Sequence, residues 1–199
     1  MKTFELFFPH VLPDVPGVNE PAAELALLKA AREFCERTRA WRVTLDPTGI
    51  SAGIDEYDLE LPAKSELVRI ESAKRAGTDV KVAMPNAPLG RNEDWIECLD
   101  GRTLTVNPVP TAASSLVLNV TLKPSLAAVG VEDFLFERYA DVISLHAIAS
   151  LKRQPKKDYT DLAGAIDPEA RFNDQCADIR NLLWRGSARN MPRSRPVLF

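Results

Sequence analysis

A stripe spaced at four and three residues runs through Leu27, Ala31, Phe34, Thr38 and Trp41, widened by Leu28 and Cys35. Lys29, Glu33, Glu36 and Arg37 fall on the other side, so the spacing predicts a helix over 19–41 with one buried face. Asn19 supplies a capping oxygen, Glu20 suits the positive end of the helix dipole, and Pro21 fits the first turn. Between Arg42 and Pro124 the period changes to two, and Pro, Gly, Asn and Asp punctuate the runs. Seven antiparallel strands are predicted, around Val43 and Leu45; Tyr57, Leu59 and Leu61; Val68 and Ile70; Val80 and Val82; Trp95, Ile96 and Cys98; Leu104 and Val106; and Leu116, Leu118, Val120 and Leu122. In the last run Val117, Asn119, Thr121 and Lys123 alternate against the apolar row, which puts a more polar row on the opposite face. Asp100-Gly101 reads as a tight hairpin turn.

Helical spacing returns after Gly130. Leu135, Tyr139, Val142, His146 and Ala149 line one face of a segment ending near Lys152, and Phe134, Ile143 and Leu145 widen it. After a Lys-Arg-Gln-Pro-Lys-Lys loop, a short helical stretch is expected over 161–166. Asp167, Pro168 and Glu169 then read as cap, first-turn proline and dipole-matched acid of a last helix to Trp184, with a stripe of Phe172, Cys176, Ile179 and Leu183. The pattern predicts an α+β fold: a helical core domain from residues 1–42 and 125–185, an inserted antiparallel β-sandwich or open barrel over 43–124, and an extended carboxyl-terminal arm over 186–199.

The chain has 199 residues, enough to bury a core without disulfides or metals. Three widely separated cysteines, Cys35, Cys98 and Cys176, match neither a disulfide framework nor a structural zinc spacing, which points to synthesis in a reducing cytosol. The apolar runs are too short for a membrane span and residues 1–17 lack the shape of a signal peptide. A net charge of -3 argues against general nucleic-acid affinity. Residues 43–128 sum to -4, while 186–199 sum to +3 with no acid.

Candidate chemistry is sparse. No HExxH, GxSxG, GxxxxGK or GxGxxG sequence is present. His10 falls in a proline-rich opening loop, and His146 falls on a helical apolar face, where a packed structural role is expected. Asp55, Glu56, Asp58 and Glu60 form an acidic cluster of the kind that flanks a glycosidic bond or holds calcium. Asp58 and Glu60 alternate with Tyr57, Leu59 and Leu61, however, as the solvent row of a strand does. Trp41 and Trp95 are in phase with a helix core and a strand, and Cys35 and Cys176 lie on apolar stripes, so packing is expected for all four. No catalytic residue, cofactor or metal site is assigned. The tail differs: Arg189, Arg193 and Arg195 precede Val197, Leu198 and Phe199, and a frayed end gains nothing from that apolar finish. An arm that orders on a partner with acidic groups and an apolar pocket is the favoured reading.

Several phrases carry a family resemblance: LLKAAREFCERTRAWR running into TLDP, YDLELP before LVRI, LTVNPVP before the β-run ending at Pro124, DFLFERYADVISLHAIASL, and RFNDQCADIR. Over roughly residues 20–185 the chain resembles the head-to-tail adaptor (connector) proteins of tailed bacteriophages, related in plan to podophage tail tubular proteins. The Asp167-Pro168 step and Leu145-His146-Ala147 depart from the family pattern.

The resemblance implies a non-enzymatic structural virion protein, made in the host bacterial cytoplasm and located at the head-tail junction. It implies a twelvefold ring that joins the portal protein to a tail tube, nozzle or tail-completion protein while double-stranded DNA passes without specific binding. The arm would be the portal-binding element. The alternative is a phage tail β-module that binds a carbohydrate or host receptor, and a glycan hydrolase using the acidic cluster is the enzymatic alternative.

Overall fold

The computed structural model describes residues 1–83 and 93–185. In chain order these form β1 (Lys2–Thr3), a 3-10 turn, α1 (Phe8–Val11), a second 3-10 turn, and α2 (Glu20–Thr38). The β-rich middle follows as β2 (Arg42–Thr44), β3 (Thr48–Ile50), β4 (Glu56–Asp58), β5 (Ser65–Arg75), β6 (Thr78–Val82), β7 (Trp95–Glu97), β8 (Thr103–Asn107) and β9 (Ser114–Pro124). Then come β10 (Gly130–Val131), α3 (Asp133–Lys152) and α4 (Ile166–Arg185). The class is α+β, as the periodicity predicts, and the predicted arm over 186–199 lies outside the described residues.

Helix α2 begins where the cap chemistry places it, with the Asn19 carboxamide accepting from the Ala22 amide at 3.0 Å. It stops three residues earlier than the stripe suggests, because Arg39 takes a left-handed conformation (φ 56°) and its amide closes on the Cys35 carbonyl. Trp41 is therefore not a helix residue. It is buried in the connection to β2, where its carbonyl accepts from the Leu122 amide at 2.8 Å and fixes the chain against β9.

All seven predicted strands form, and the sheet adds β3, which the alternation did not show. The sheet runs in the order β2-β9-β5-β6-β7-β8-β4 and curls into a half-barrel, so the open-barrel alternative holds and the sandwich does not. β2 and β3 lie end to end along one edge of β9, broken at Asp46-Pro47, where proline has no amide to give the ladder. The sheet is also mixed. β6 and β7 run parallel, with Lys81 opposite Trp95 and Val82 opposite Ile96, which corrects the all-antiparallel expectation. Residues 83–94 separate these strands, long enough for the return that parallel pairing requires.

The β7-β8 hairpin is wider than a two-residue turn, since the ladder closes at Glu97 and Thr105. Gly101 (φ 73°) and the Asp100 carboxylate shape it, the latter accepting from the amides of Arg102 and Thr103.

β9 is the spine. It pairs with β2, β3 and β5, and Leu116, Leu118, Val120 and Leu122 are all buried. Two register shifts in the β5-β9 ladder bend the pair and increase its twist. The alternate row is less solvent-facing than the sequence implies: Thr121 is fully buried and donates to Glu71 at 2.7 Å, while Asn119 bonds Thr44 and Ser72.

The helical layer packs α2 against α3 and α4, and α2 also lies against β9, so helices and sheet share one contiguous buried cluster. Phe34 meets Tyr139 with ring centres 5.0 Å apart. The opening segment is ordered rather than a loop: β1 pairs with β10, Phe4 and Phe7 are buried, and Phe7 packs edge-on to Phe136 at 4.9 Å. His10 belongs to the α1 turn, not to a loop. A side chain at Gly130 would fall 2.0 Å from the Lys2 carbonyl oxygen, so only glycine lets these strands approach.

Residues 162–165 form turns instead of the expected helix, and α4 starts at Ile166, one residue before the predicted cap. Pro168 consequently sits in the first turn, where its missing amide has no helical partner to lose.

A polar clasp joins α2 to the sheet. Arg32 donates to the Pro124 carbonyl at 2.6 Å and to Glu66 at 2.9 Å, and Glu66 also accepts from the Leu126 amide at 3.2 Å. The Arg32 bond holds the Glu66 carboxyl below its usual range. Arg32→Ala strips donors from both acceptors and is expected to lower unfolding free energy by about 1.5–3 kcal/mol in urea titrations. Lys29→Ala, on the exposed side of the same helix, should change it by less than about 0.5 kcal/mol.

Candidate functional site

The acidic cluster is where its alternation places it. Glu56, Asp58 and Glu60 are exposed on and beside β4, and Asp55 is exposed just before it. Asp58 and Glu60 line a groove of about 470 Å³ together with Asp46, a carboxylate the sequence reading did not connect to them. Among the described residues no group of three or more His, Cys, Asp or Glu is placed to hold a metal ion.

Burial explains the remaining titratable candidates. Cys35 is fully buried and its thiol is pushed far up, and Cys176 is pushed up to about 11, in both cases chiefly by loss of water. Cys98 is raised by the same cause. His146 stacks on Phe172 with ring centres 4.6 Å apart, and its Nδ1 has no hydrogen-bond partner among the described residues. Burial depresses its pKa, so the ring is held neutral. His10 is partly exposed, with Nδ1 2.9 Å from Asp141. Trp95 is half-buried in β7.

The more distinctive surfaces lie at the two ends of α2. At its carboxyl end, α2 and α4 enclose a cleft of about 550 Å³, whose rim carries Arg37, Arg39, Arg180 and Trp184. Arg37 is fixed, donating to Asn173 at 2.6 Å with its guanidinium 5.3 Å from the Phe172 ring centre. Arg180 has no ion-pair partner among the described residues. Helix α4 covers Phe172 and Cys176 completely, yet Leu182 and Trp184 are 68% and 79% exposed.

At the amino end of α2 a smaller apolar groove of about 220 Å³ lies between Pro21, Leu25 and Leu28 on the helix and Phe4, Ala128 and Val129. Glu24 is the one charged residue in its described lining. A broader groove of about 990 Å³ follows β5, β6 and the β7-β8 loop, and its described lining has no aromatic side chain.

These two α2 surfaces were not singled out from the chain pattern, but a signal existed. Leu25, Leu182 and Trp184 each fall off the stripe of their own helix, and an apolar residue on the polar side of an amphipathic helix must either meet another body or face water. The arm residues Arg189, Arg193, Arg195, Val197, Leu198 and Phe199 lie outside the described residues. No helix among the described residues is long and apolar enough to cross a membrane. Compared with known proteins, the sequence matches no family model and no curated protein.

Two expectations follow. Because burial lowers the folded-state pKa of His146 below its ordinary 6.5, the unfolded chain binds the extra proton first. Its contribution to stability is thus complete above that value and is lost as pH falls below it. The thermal midpoint should drop on acidification through this window, and His146→Gln should flatten the drop. Since Asp58 and Glu60 are exposed, Asp58→Asn with Glu60→Gln should leave folding unchanged, with the thermal midpoint and circular dichroism spectrum as the measurement.

Proposed function

We propose that this chain is a structural assembly protein, a head-to-tail adaptor that forms a twelvefold ring joining the portal to the tail of a bacteriophage. The observation that carries the reading is α4. This 20-residue helix is packed by one stripe and exposes Leu182 and Trp184 at the end that leads into the basic, apolar-tipped segment 186–199. A helix left half-covered beside a cationic extension is suited to docking on other protein surfaces, where a buried aromatic and arginines supply much of the contact energy.

In this reading the arm of Arg189, Arg193, Arg195, Val197, Leu198 and Phe199 engages the portal. Prolines 192 and 196 favour an extended course and reduce the entropy lost on docking. The net charge of -3, repeated around a ring, disfavours a grip on passing double-stranded DNA because like charges repel. The proposal assigns no catalysis, cofactor or membrane, and places the protein in the virion at the head-tail junction.

Deletion of residues 187–199 tests the arm directly. The truncated chain should keep the thermal midpoint of the full chain and lose co-sedimentation with portal rings. Undiminished portal binding would move the docking surface to the helices.

A further inference from the structure

We propose that copies of this chain join head to tail, with Trp184 of one copy seated in the apolar groove at the amino end of α2 of the next. Knob and hole are both visible on one chain. Trp184 has the highest fractional exposure among the large hydrophobic side chains described, at 79%. The groove's floor includes buried Phe4, Leu28 and Ala128, and its rim includes Leu25 and Val129, which are 52% and 58% exposed. Its volume of about 220 Å³ is below the roughly 300 Å³ at which small-molecule pockets begin, and suits a single large side chain.

The charges match. Arg180 precedes Trp184 by one turn on α4, Glu24 borders the groove, and neither has an ion-pair partner among the described residues. Glu20 stands one turn before Glu24 on the same side of α2 and is also exposed, so that face is acidic. An arginine beside an aromatic knob meeting a carboxylate beside an apolar hole gives both attraction and register.

Position excludes a contact within one chain. The groove is built on Pro21, Leu25 and Leu28 of α2 and the Trp184 cleft on Glu36, Arg37 and Arg39, and at 1.5 Å per residue the helix holds their centres about 19 Å apart along its axis. Two copies can satisfy both surfaces, and because the surfaces differ the contact is heterologous, so it propagates until rotation closes it. The contact rests on these surfaces alone, while closure into a ring rests on the adaptor reading. One aromatic anchor covers about 150–250 Å², far less than the roughly 1,600 Å² of a stable interface. The free protein is accordingly a monomer at low micromolar concentration and associates only when concentrated or templated.

Sedimentation velocity on the full chain tests this with two variants that each spoil one side. Leu25→Asp blocks the hole and keeps the knob, whereas Trp184→Ala removes the knob and keeps the hole. Wild-type protein should gain mass through the high micromolar range. Each variant alone should stay monomeric, and their equimolar mixture should form a species of twice the monomer mass and nothing larger. As a second pair, Glu24→Arg or Arg180→Glu alone should weaken association, and the two combined in one chain should restore it.

Wild-type protein that never associates, a single variant that associates as wild type does, or a mixture that stays monomeric would each overturn the proposal. Portal co-sedimentation of wild-type protein separates the two readings. Mixed dimers without portal binding would sink the adaptor reading alone, and portal binding without mixed dimers would sink this contact alone.

Discussion

Helix α2 has to be covered twice, and the rest of the described fold follows from that demand. Its buried residues run from Ala23 to Thr38 and include Leu27, Leu28, Ala31, Phe34 and Cys35, a wider band than one neighbouring helix can cover. Helices α3 and α4 meet one part and β9 another, so helices and sheet share a core. Each large apolar side chain withdrawn from water here is worth about 1.5–3 kcal/mol, and the helix cannot leave either neighbour without returning several of them.

The polar contacts around α2 set direction more than strength. Arg32 grips the end of β9 through the Pro124 carbonyl and the start of β5 through Glu66, while Lys123 reaches Glu36 at 2.5 Å. Apolar contact alone would let the helix slide along the sheet; these paired groups name one position. Burying Thr121 against Glu71 has the same effect inside the ladder, because a slip of one residue would take the buried hydroxyl away from its acceptor.

What the fold leaves uncovered is as specific as what it covers. The amino-terminal segment is tied down by the β1-β10 pair and by the Met1 amino group on Asp133 at 2.6 Å, which shapes one wall of the small groove at the start of α2. Arg153 and Glu169 pair across the α3-α4 connection and help seat α4, whose far end brings Arg180 and Trp184 beside Arg37 and Arg39. A basic, aromatic surface and an acidic-edged apolar one are thus held at opposite ends of one rigid helix. That arrangement suits assembly, and it arises from the packing of the core.

The sequence by itself determined the element types. The three long helices and seven strands follow from periods of 3.6 and 2, and from local chemistry such as the Asn19 cap, because these depend on neighbours a few positions away. It also marked His146, Cys35 and Cys176 as packing residues and Asp58 and Glu60 as a solvent row, since apolar phase predicts burial. Periodicity carries no information about pairing, however. The parallel β6-β7 step, the end-to-end seating of β2 and β3 on β9, and the burial of Thr121 depend on which distant segment lies alongside. The end of α2 before Trp41 and the pairing of Lys2 and Thr3 with Val131 and Gly130 were settled by contacts across the chain, not by local preference. The same holds for the two surfaces at the ends of α2: Leu25 and Trp184 stand off their stripes in the sequence, but only the packing of the helices and of the 126–129 loop decides which off-stripe residue becomes a wall, which a knob, and how far apart they stand.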